Sequence, residues 1–206
     1  MQTRIIPASD PEAIPEALKV LRRGGLVAFP TDTVYGLAAL PNDSAAIERI
    51  FEAKGRDSSK AIAVLVSGVE QLPLLTPGLT DSARQLAERF WPGALTLVVP
   101  RHPNLPEVIS PYPTIGVRMP NHTFALELLR ASGPLATSSA NGSGGANTTT
   151  AQAVLEQLDG RIDLILDGGV TPGGVPSTVV DCTSAEVKIL REGELAGKIR
   201  KLVNRE

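Results

Sequence analysis

Cysteine occurs once in this chain of 206 residues, at Cys182, which excludes an internal disulfide framework. Histidine occurs twice, at His102 and His122, too sparsely for a zinc site, so no protein-bound metal is expected. Aromatic residues make up 3% of the sequence, which leaves few platforms for stacking single-stranded nucleic acid. No apolar run approaches the roughly 20 residues of a membrane span. The start, Met1-Gln2-Thr3-Arg4, soon meets prolines and acids and lacks the apolar core of a secretory signal, so a cytoplasmic location is expected. The formal net charge of -2 argues against a protein that coats nucleic acid electrostatically, although a local basic cleft is invisible to such a sum. Three nucleotide and nucleophile signatures are missing as well: there is no G-x-x-x-x-G-K-[ST] loop, no G-x-G-x-x-G after a strand and no G-x-S-x-G elbow.

What remains is a globular composition, 42% hydrophobic and 20% charged, in a chain long enough for one large core. One domain over residues 1–206 is expected. Helical spacing of Ile14, Leu18 and Leu21 after Asp10-Pro11 predicts a first helix, with Asp10 as its N-cap. Asp43 or Ser44 caps a second, with Ile47, Ile50 and Phe51 inward, and Thr80 or Asp81 a third, with Ala83, Leu86, Ala87 and Phe90 inward. Further helices are expected at 123–130, 151–158 and 195–203. Short apolar runs at 26–29, 61–66, 94–99, 115–119, 135–138, 163–166, 178–182 and 187–190 predict strands. Such alternation gives an α/β fold with helices flanking one sheet, and the close spacing of the last strands makes part of it antiparallel.

The strand ending at Phe29 breaks into Pro30-Thr31-Asp32-Thr33-Val34-Tyr35-Gly36-Leu37. Proline, threonine and aspartate are ordinary turn residues, so this could be a plain loop. Val34, Tyr35 and Leu37, however, must bury themselves again. A loop pinned on both sides holds its hydroxyls still, as a binding site requires.

Cations supply a second candidate. Lys54 and Arg56 stand at a predicted helix end, where basic residues commonly complement the helix dipole, and Lys60 adds a third positive charge nearby, which favours an anion site. Arg118 interrupts an apolar strand; it is either paired with an internal acid or reserved for a carboxylate or phosphate. Thr137 and Ser139 share one side of their strand, and Ser177 and Arg191 also stand at strand termini. A Ser-His-Asp triad competes, but nothing in the sequence brings His102 or His122 near Ser138 or Ser139. Cys182 reads as core.

In their order, Thr31 to Leu37, Lys54-Gly55-Arg56, Thr114 to Arg118, Ser139-Ala140-Asn141, Ser177 to Asp181 and Leu190-Arg191 resemble the threonylcarbamoyl-AMP synthase family, of YrdC type, over nearly the whole chain. The resemblance implies a twisted mixed sheet with a central concave cleft. It implies condensation of L-threonine, bicarbonate or CO2 and ATP to threonylcarbamoyl-AMP and pyrophosphate, for threonylcarbamoyladenosine modification of tRNA. It also implies magnesium arriving with ATP, and the tRNA threonylcarbamoyl-transfer machinery as a partner. By position, Thr33, Arg118, Thr137 and Ser177 would bind L-threonine. Arg56, Lys60, Thr114, Ser139, Asn141, Asn147 and Arg191 would bind ATP, with Lys54 and Arg56 catalytic. Ala61 stands where many members have proline, and Leu65 where some have histidine. The chain ends soon after Arg191, so the further domain of long members is expected to be absent. Two other readings stay open: a non-catalytic RNA-binding module, and a carbamoyl-adenylate transfer domain.

Overall fold

Helix starts follow from local hydrogen bonding. In the computed structural model, which describes residues 2–184 and 186–203, the Asp43 carboxylate accepts from the Ala46 N–H at 3.0 Å, Thr80 Oγ1 from Ala83 at 3.2 Å and Thr150 Oγ1 from Ala153 at 3.1 Å. These caps satisfy amide donors that the first helical turn leaves free. They open α2 (Ser44–Lys54), α3 (Asp81–Phe90) and α5 (Ala151–Leu158). His122 caps α4 (Thr123–Ser132), and α6 spans Ala196–Val203.

The first helix, α1 (Ala13–Arg22), departs from expectation. Asp10 accepts from the Glu12 N–H at 2.8 Å in a turn, and Glu12 occupies the N-cap. The inward stripe is Ala13, Ala17, Val20 and Leu21, while Ile14 is only partly buried. Alanine lets a helix lie close to a sheet, so the small residues won the contact.

Ten strands form one mixed sheet. In chain order they are β1 (Arg4–Pro7), β2 (Val27–Phe29), β3 (Gly36–Ala39), β4 (Ala63–Leu65), β5 (Leu95–Pro100), β6 (Thr114–Arg118), β7 (Leu135–Ser139), β8 (Leu164–Asp167), β9 (Thr178–Asp181) and β10 (Lys188–Arg191). Across the sheet they run β1-β8-β2-β3-β7-β4-β6-β5-β9-β10. The pairs β1–β8, β2–β8, β4–β6 and β5–β9 are parallel and the remaining neighbours antiparallel. Antiparallel pairing therefore reaches the middle of the sheet and is not confined to the last strands. Strands β1 and β3 were not expected, since a four-residue edge and the sequence Gly-Leu-Ala-Ala carry little strand propensity.

Alternation along each strand divides the core in two. Val27, Phe29, Ala38, Leu65, Leu135, Leu164 and Leu166 pack with α1 and α4 on one face. Leu26, Ala28, Leu37, Val64, Leu97, Val117 and Ile165 pack with α2, α3, α5 and Ile199 of α6 on the other. The α1/α4 cluster holds no residue of β5, β6 or β9. That part of the face has no helical cover in the cluster, and a cleft lies there. Among the described residues no helix is long and apolar enough to cross a membrane.

Candidate active site

The cleft has a volume of about 240 Å³ and a floor of low side chains from the centre of the sheet: Ala63, Leu65, Thr96, Val98 and Gly116. A Cβ on Gly116 would stand 3.1 Å from Thr96 Cγ2 and 3.3 Å from Ala63 Cβ, so glycine keeps the floor flat.

One wall is the Thr31–Gly36 segment. Its hydroxyls are fixed by the backbone: Thr31 Oγ1 donates to Val34 O at 2.7 Å and accepts from the Thr33 N–H at 3.1 Å. Val34, Tyr35 and Leu37 are buried, as the return of bulky groups in the sequence required. From outside, Gly174 N–H and Thr171 Oγ1 both donate to Thr33 O, at 2.7 and 3.2 Å. Gly173 lies so near that a Cβ there would come 2.7 Å from Asp32 O.

Three guanidinium groups reach the cleft, from Arg56, Arg118 and Arg191. Arg118, 6% exposed, donates through Nε to Gly93 O at 3.0 Å, through Nη1 to Thr33 Oγ1 at 3.0 Å and through Nη2 to Asp32 Oδ1 at 2.6 Å. The first alternative open in the sequence holds, since Arg118 is paired with an internal acid, and its side chain also lines the cleft. Arg191 donates to Ser177 O at 3.0 and 2.9 Å and to Ser177 Oγ at 3.1 Å, and that hydroxyl lies 2.7 Å from Thr96 Oγ1. Arg56 donates to Ala61 O at 3.0 Å and to Ser138 Oγ at 3.4 Å, while its buried Nε has no partner.

Among the described residues neither Arg56 nor Arg191 has a carboxylate within salt-bridge distance. Burial lowers the pKa of both, and for Arg191 the charges of Arg118 and Arg56 lower it further. Burial also lowers that of Arg118, opposed by Asp32. Guanidinium stays protonated in proteins, so these shifts express positive charges held together at a cost that an anion would relieve.

Of the residues expected at the site, the cleft is lined by Thr33, Arg56, Arg118, Thr137, Ser139, Ser177 and Arg191. Five are elsewhere. Lys60 is exposed beyond the end of α2, and Thr114 starts β6, two residues before the lining residue Gly116. Asn147 is exposed and donates to Gly174 O at 3.3 Å, whereas Asn141 is buried and its amide donates to Gly142 O and Gly145 O. Lys54 turns inward beneath the loop after β7, and its ammonium donates to backbone carbonyls instead of facing the cavity. Desolvation of a lysine at this depth is offset by the nearest acceptors, which belong to the loop. Neither histidine lines the cleft: His122 caps α4 and His102 accepts from the Asn104 N–H.

Sequence reasoning missed Thr96 and the Gly168–Pro176 segment that packs on Thr33. Thr96 carried the same signal as Arg118, one polar residue inside an apolar strand. The segment carried none, because its contacts with Thr33 are made to a backbone carbonyl, by the Gly174 N–H and the Thr171 hydroxyl.

Comparison with known proteins agrees with this architecture. The Sua5/YciO/YrdC family model, described as "Telomere recombination", matches residues 19–193. The chain belongs to the Sua5/YciO/YrdC family. Within it, the chain is 44% identical over 191 residues to the threonylcarbamoyl-AMP synthase of Bacillus subtilis, covering 91% of this chain and 55% of that protein. A Mycobacterium tuberculosis relative is 39% identical over 199 residues, 94% of this chain and 92% of the relative. The structure of P. abyssi Sua5 complexed with L-threonine superposes with a TM-score of 0.92 at 42% identity, covering 98% of this chain and 61% of that one. The chain thus spans about half the length of the Bacillus subtilis relative, and the family fold is shared throughout that span.

Proposed function

We propose that this Sua5/YciO/YrdC protein is a nucleotidyltransferase that makes threonylcarbamoyl-AMP from L-threonine, bicarbonate or CO2 and ATP, releasing pyrophosphate. The carrying observation is the convergence of three guanidinium groups on one sheet cleft, two of them without a carboxylate partner among the described residues. A cleft so charged favours a ligand rich in anionic oxygens. An RNA-binding module would instead spread its cations along an open surface to follow a phosphate backbone. The L-threonine complex of P. abyssi Sua5, a close structural neighbour, supports threonine as the second substrate.

On this reading Arg118 receives the threonine carboxylate through guanidinium hydrogens that its present bonds leave free, with Thr33, Thr137 and Ser177 around it. Arg56, Arg191 and Ser139 face the phosphates. Lys60, Thr114 and Asn147, outside the lining, are given no contact with the reacting atoms. Magnesium comes with ATP as part of the substrate, held by phosphate oxygens. Among the described residues no group of three or more His, Cys, Asp or Glu could hold a metal.

The threonine amine adds to carbon dioxide and loses a proton, forming a carbamate. One carbamate oxygen attacks the α-phosphorus, the bond from that phosphorus to the bridging oxygen breaks, and pyrophosphate departs. The chain's part is to hold the two substrates in line and to oppose the charge that grows on the phosphoryl oxygens, the work of Arg56 and Arg191. The adenylate then passes to the tRNA threonylcarbamoyl-transfer machinery, in the cytoplasm.

Incubation of purified protein with MgATP, bicarbonate and L-threonine tests this. Mass analysis should find the mixed carbamate-phosphate anhydride and one pyrophosphate for each. Pyrophosphate release that ignores threonine, or no anhydride, overturns the reading. Serine in place of threonine measures how far the cleft recognises the methyl group.

A further inference from the structure

Lysines in the last turn of a helix ordinarily reach into solvent or fold over their own terminal carbonyls. Lys54 does neither. It closes α2, is 4% exposed, and sends its ammonium to acceptors 85 and 87 positions along the chain. These are Ser139 O, Asn141 O at 2.6 Å, and Asn141 Oδ1 at 3.4 Å. An ammonium has three N–H donors, and three oxygens meet them here. In return, the Lys54 carbonyl accepts from the Ser143 N–H at 2.7 Å.

Other bonds tie this loop to the rest of the fold, from Ala140 N–H to Tyr35 O at 2.8 Å, from Tyr35 N–H to Thr148 O at 2.9 Å and from Thr171 N–H to Thr149 O at 2.9 Å, but none of these reaches the end of α2. Asn141 Nδ2 ties the loop to itself, at Gly142 O and Gly145 O, and Gln157 of α5 bonds Gly142 N–H and Ala146 O. Residues 139–150 have no titratable side chain, so no carboxylate of the loop could take the place of these dipoles. Lys54 and Arg56 leave the same helix end, while Ser138 and Ser139 leave the end of β7. Arg56, Ser138 and Ser139 line the cleft, and the two chain ends are joined by the 3.4 Å contact from Arg56 to Ser138 Oγ, by the Ser143–Lys54 backbone bond and by the ammonium beneath them.

We infer that Lys54 is a positioning residue: its ammonium clasps the Ser139–Asn141 backbone to the end of α2 and so sets the distance between Arg56 and the serines across the cleft. It acts through these groups and touches no substrate. The catalytic part of this inference rests on the function proposed above; the clasp itself does not. Burial, and then the charge of Arg56, pull the ammonium down to about 8, so mild alkali removes one of its three donors. Arg56, two residues past the end of α2, is the charged group facing it, and the β7–α5 loop presents none.

The test is amide hydrogen exchange on the substrate-free protein, followed over peptides covering 139–147 and, as a control, β5. Lys54→Met, of similar length without donors, should speed exchange in 139–147 about tenfold and leave β5 unchanged. Lys54→Arg, with a planar fork in place of three radiating donors, should restore little of it. Unchanged exchange in 139–147 for Lys54→Met overturns the inference. Should Lys54→Met not fold, the wild type decides: the protection factor of 139–147, corrected for intrinsic rate, should fall between pH 7 and pH 9.5 while that of β5 holds, and no fall overturns the clasp. In turnover, Lys54→Met should raise KM for threonine less than about twofold and lower kcat about tenfold or more. A loss of kcat with undisturbed exchange would make Lys54 a substrate contact and overturn the positioning role. Because exchange is read without substrate, the clasp can stand even if no adenylate is ever made.

Discussion

Removing the Asp32 carboxylate should destabilise the fold, because it leaves the buried Arg118 guanidinium without its acid. Asp32 Oδ1 lies 2.6 Å from Arg118 Nη2, and the two side chains are 12% and 8% exposed. Deleting one partner of a buried pair costs about 3–5 kcal/mol, because the other charge is left in a poorly solvated place. Thr33 Oγ1 and Gly93 O would still hold the guanidinium, and the open cleft admits some water. Both soften the loss, so about 3 kcal/mol is expected for Asp32→Ala, a fall of about 150-fold in the folded-to-unfolded ratio. With a urea m-value of about 2–3 kcal/mol/M, the midpoint should drop by about 1–1.5 M at unchanged m. In a double-mutant cycle, Asp32→Ala combined with Arg118→Met should cost about 2 kcal/mol less than the sum of the single changes. A midpoint shift under about 0.3 M for Asp32→Ala would refute the argument, and would mean that water or the remaining acceptors already solvate Arg118.

Arg56→Ala should slow threonine-dependent pyrophosphate release about a hundredfold, near 3 kcal/mol of transition-state stabilisation, and an unchanged rate removes Arg56 from the phosphate site. Tyr35 is fully buried, and burial pushes its hydroxyl up to about 12. The unfolded chain ionises its tyrosine near 10 and the folded one near 12, so the folded state binds more protons between them. The contribution, about 2–3 kcal/mol, is complete below pH 10 and lost as pH climbs to 12. Urea midpoints at pH 9 and pH 11.5 should therefore differ more for wild type than for Tyr35→Phe. Cys182 is fully buried, and burial, aided by Asp181, raises its thiol to about 12. A thiol reagent at pH 8 should label it only as fast as the protein unfolds, and rapid labelling of the native protein would contradict that burial.

Local rules carried a large part of the fold. Asp43, Thr80 and Thr150 begin their helices because a side-chain oxygen and an amide three residues on need no distant partner. Arg118 stood out because a charge in an apolar strand must meet a specific partner, and the return of Val34 and Tyr35 to the core showed that the Thr31–Gly36 segment is held. These inferences rest on contacts within a few residues or on burial alone, and the amino-acid order determines both. The order of the ten strands, the pairing of Arg118 with Asp32, the outward course of Lys60 and the inward course of Lys54 are of another kind. Each depends on which oxygen lies within reach once α2, β7 and the loop after it have packed. Lysine at a helix end has several directions of similar local energy, and only tertiary neighbours separate them. Amino-acid order alone says where polar groups interrupt the apolar framework; the packed sheet selects which of them share a cleft, because the α1/α4 cluster does not extend over β5, β6 and β9.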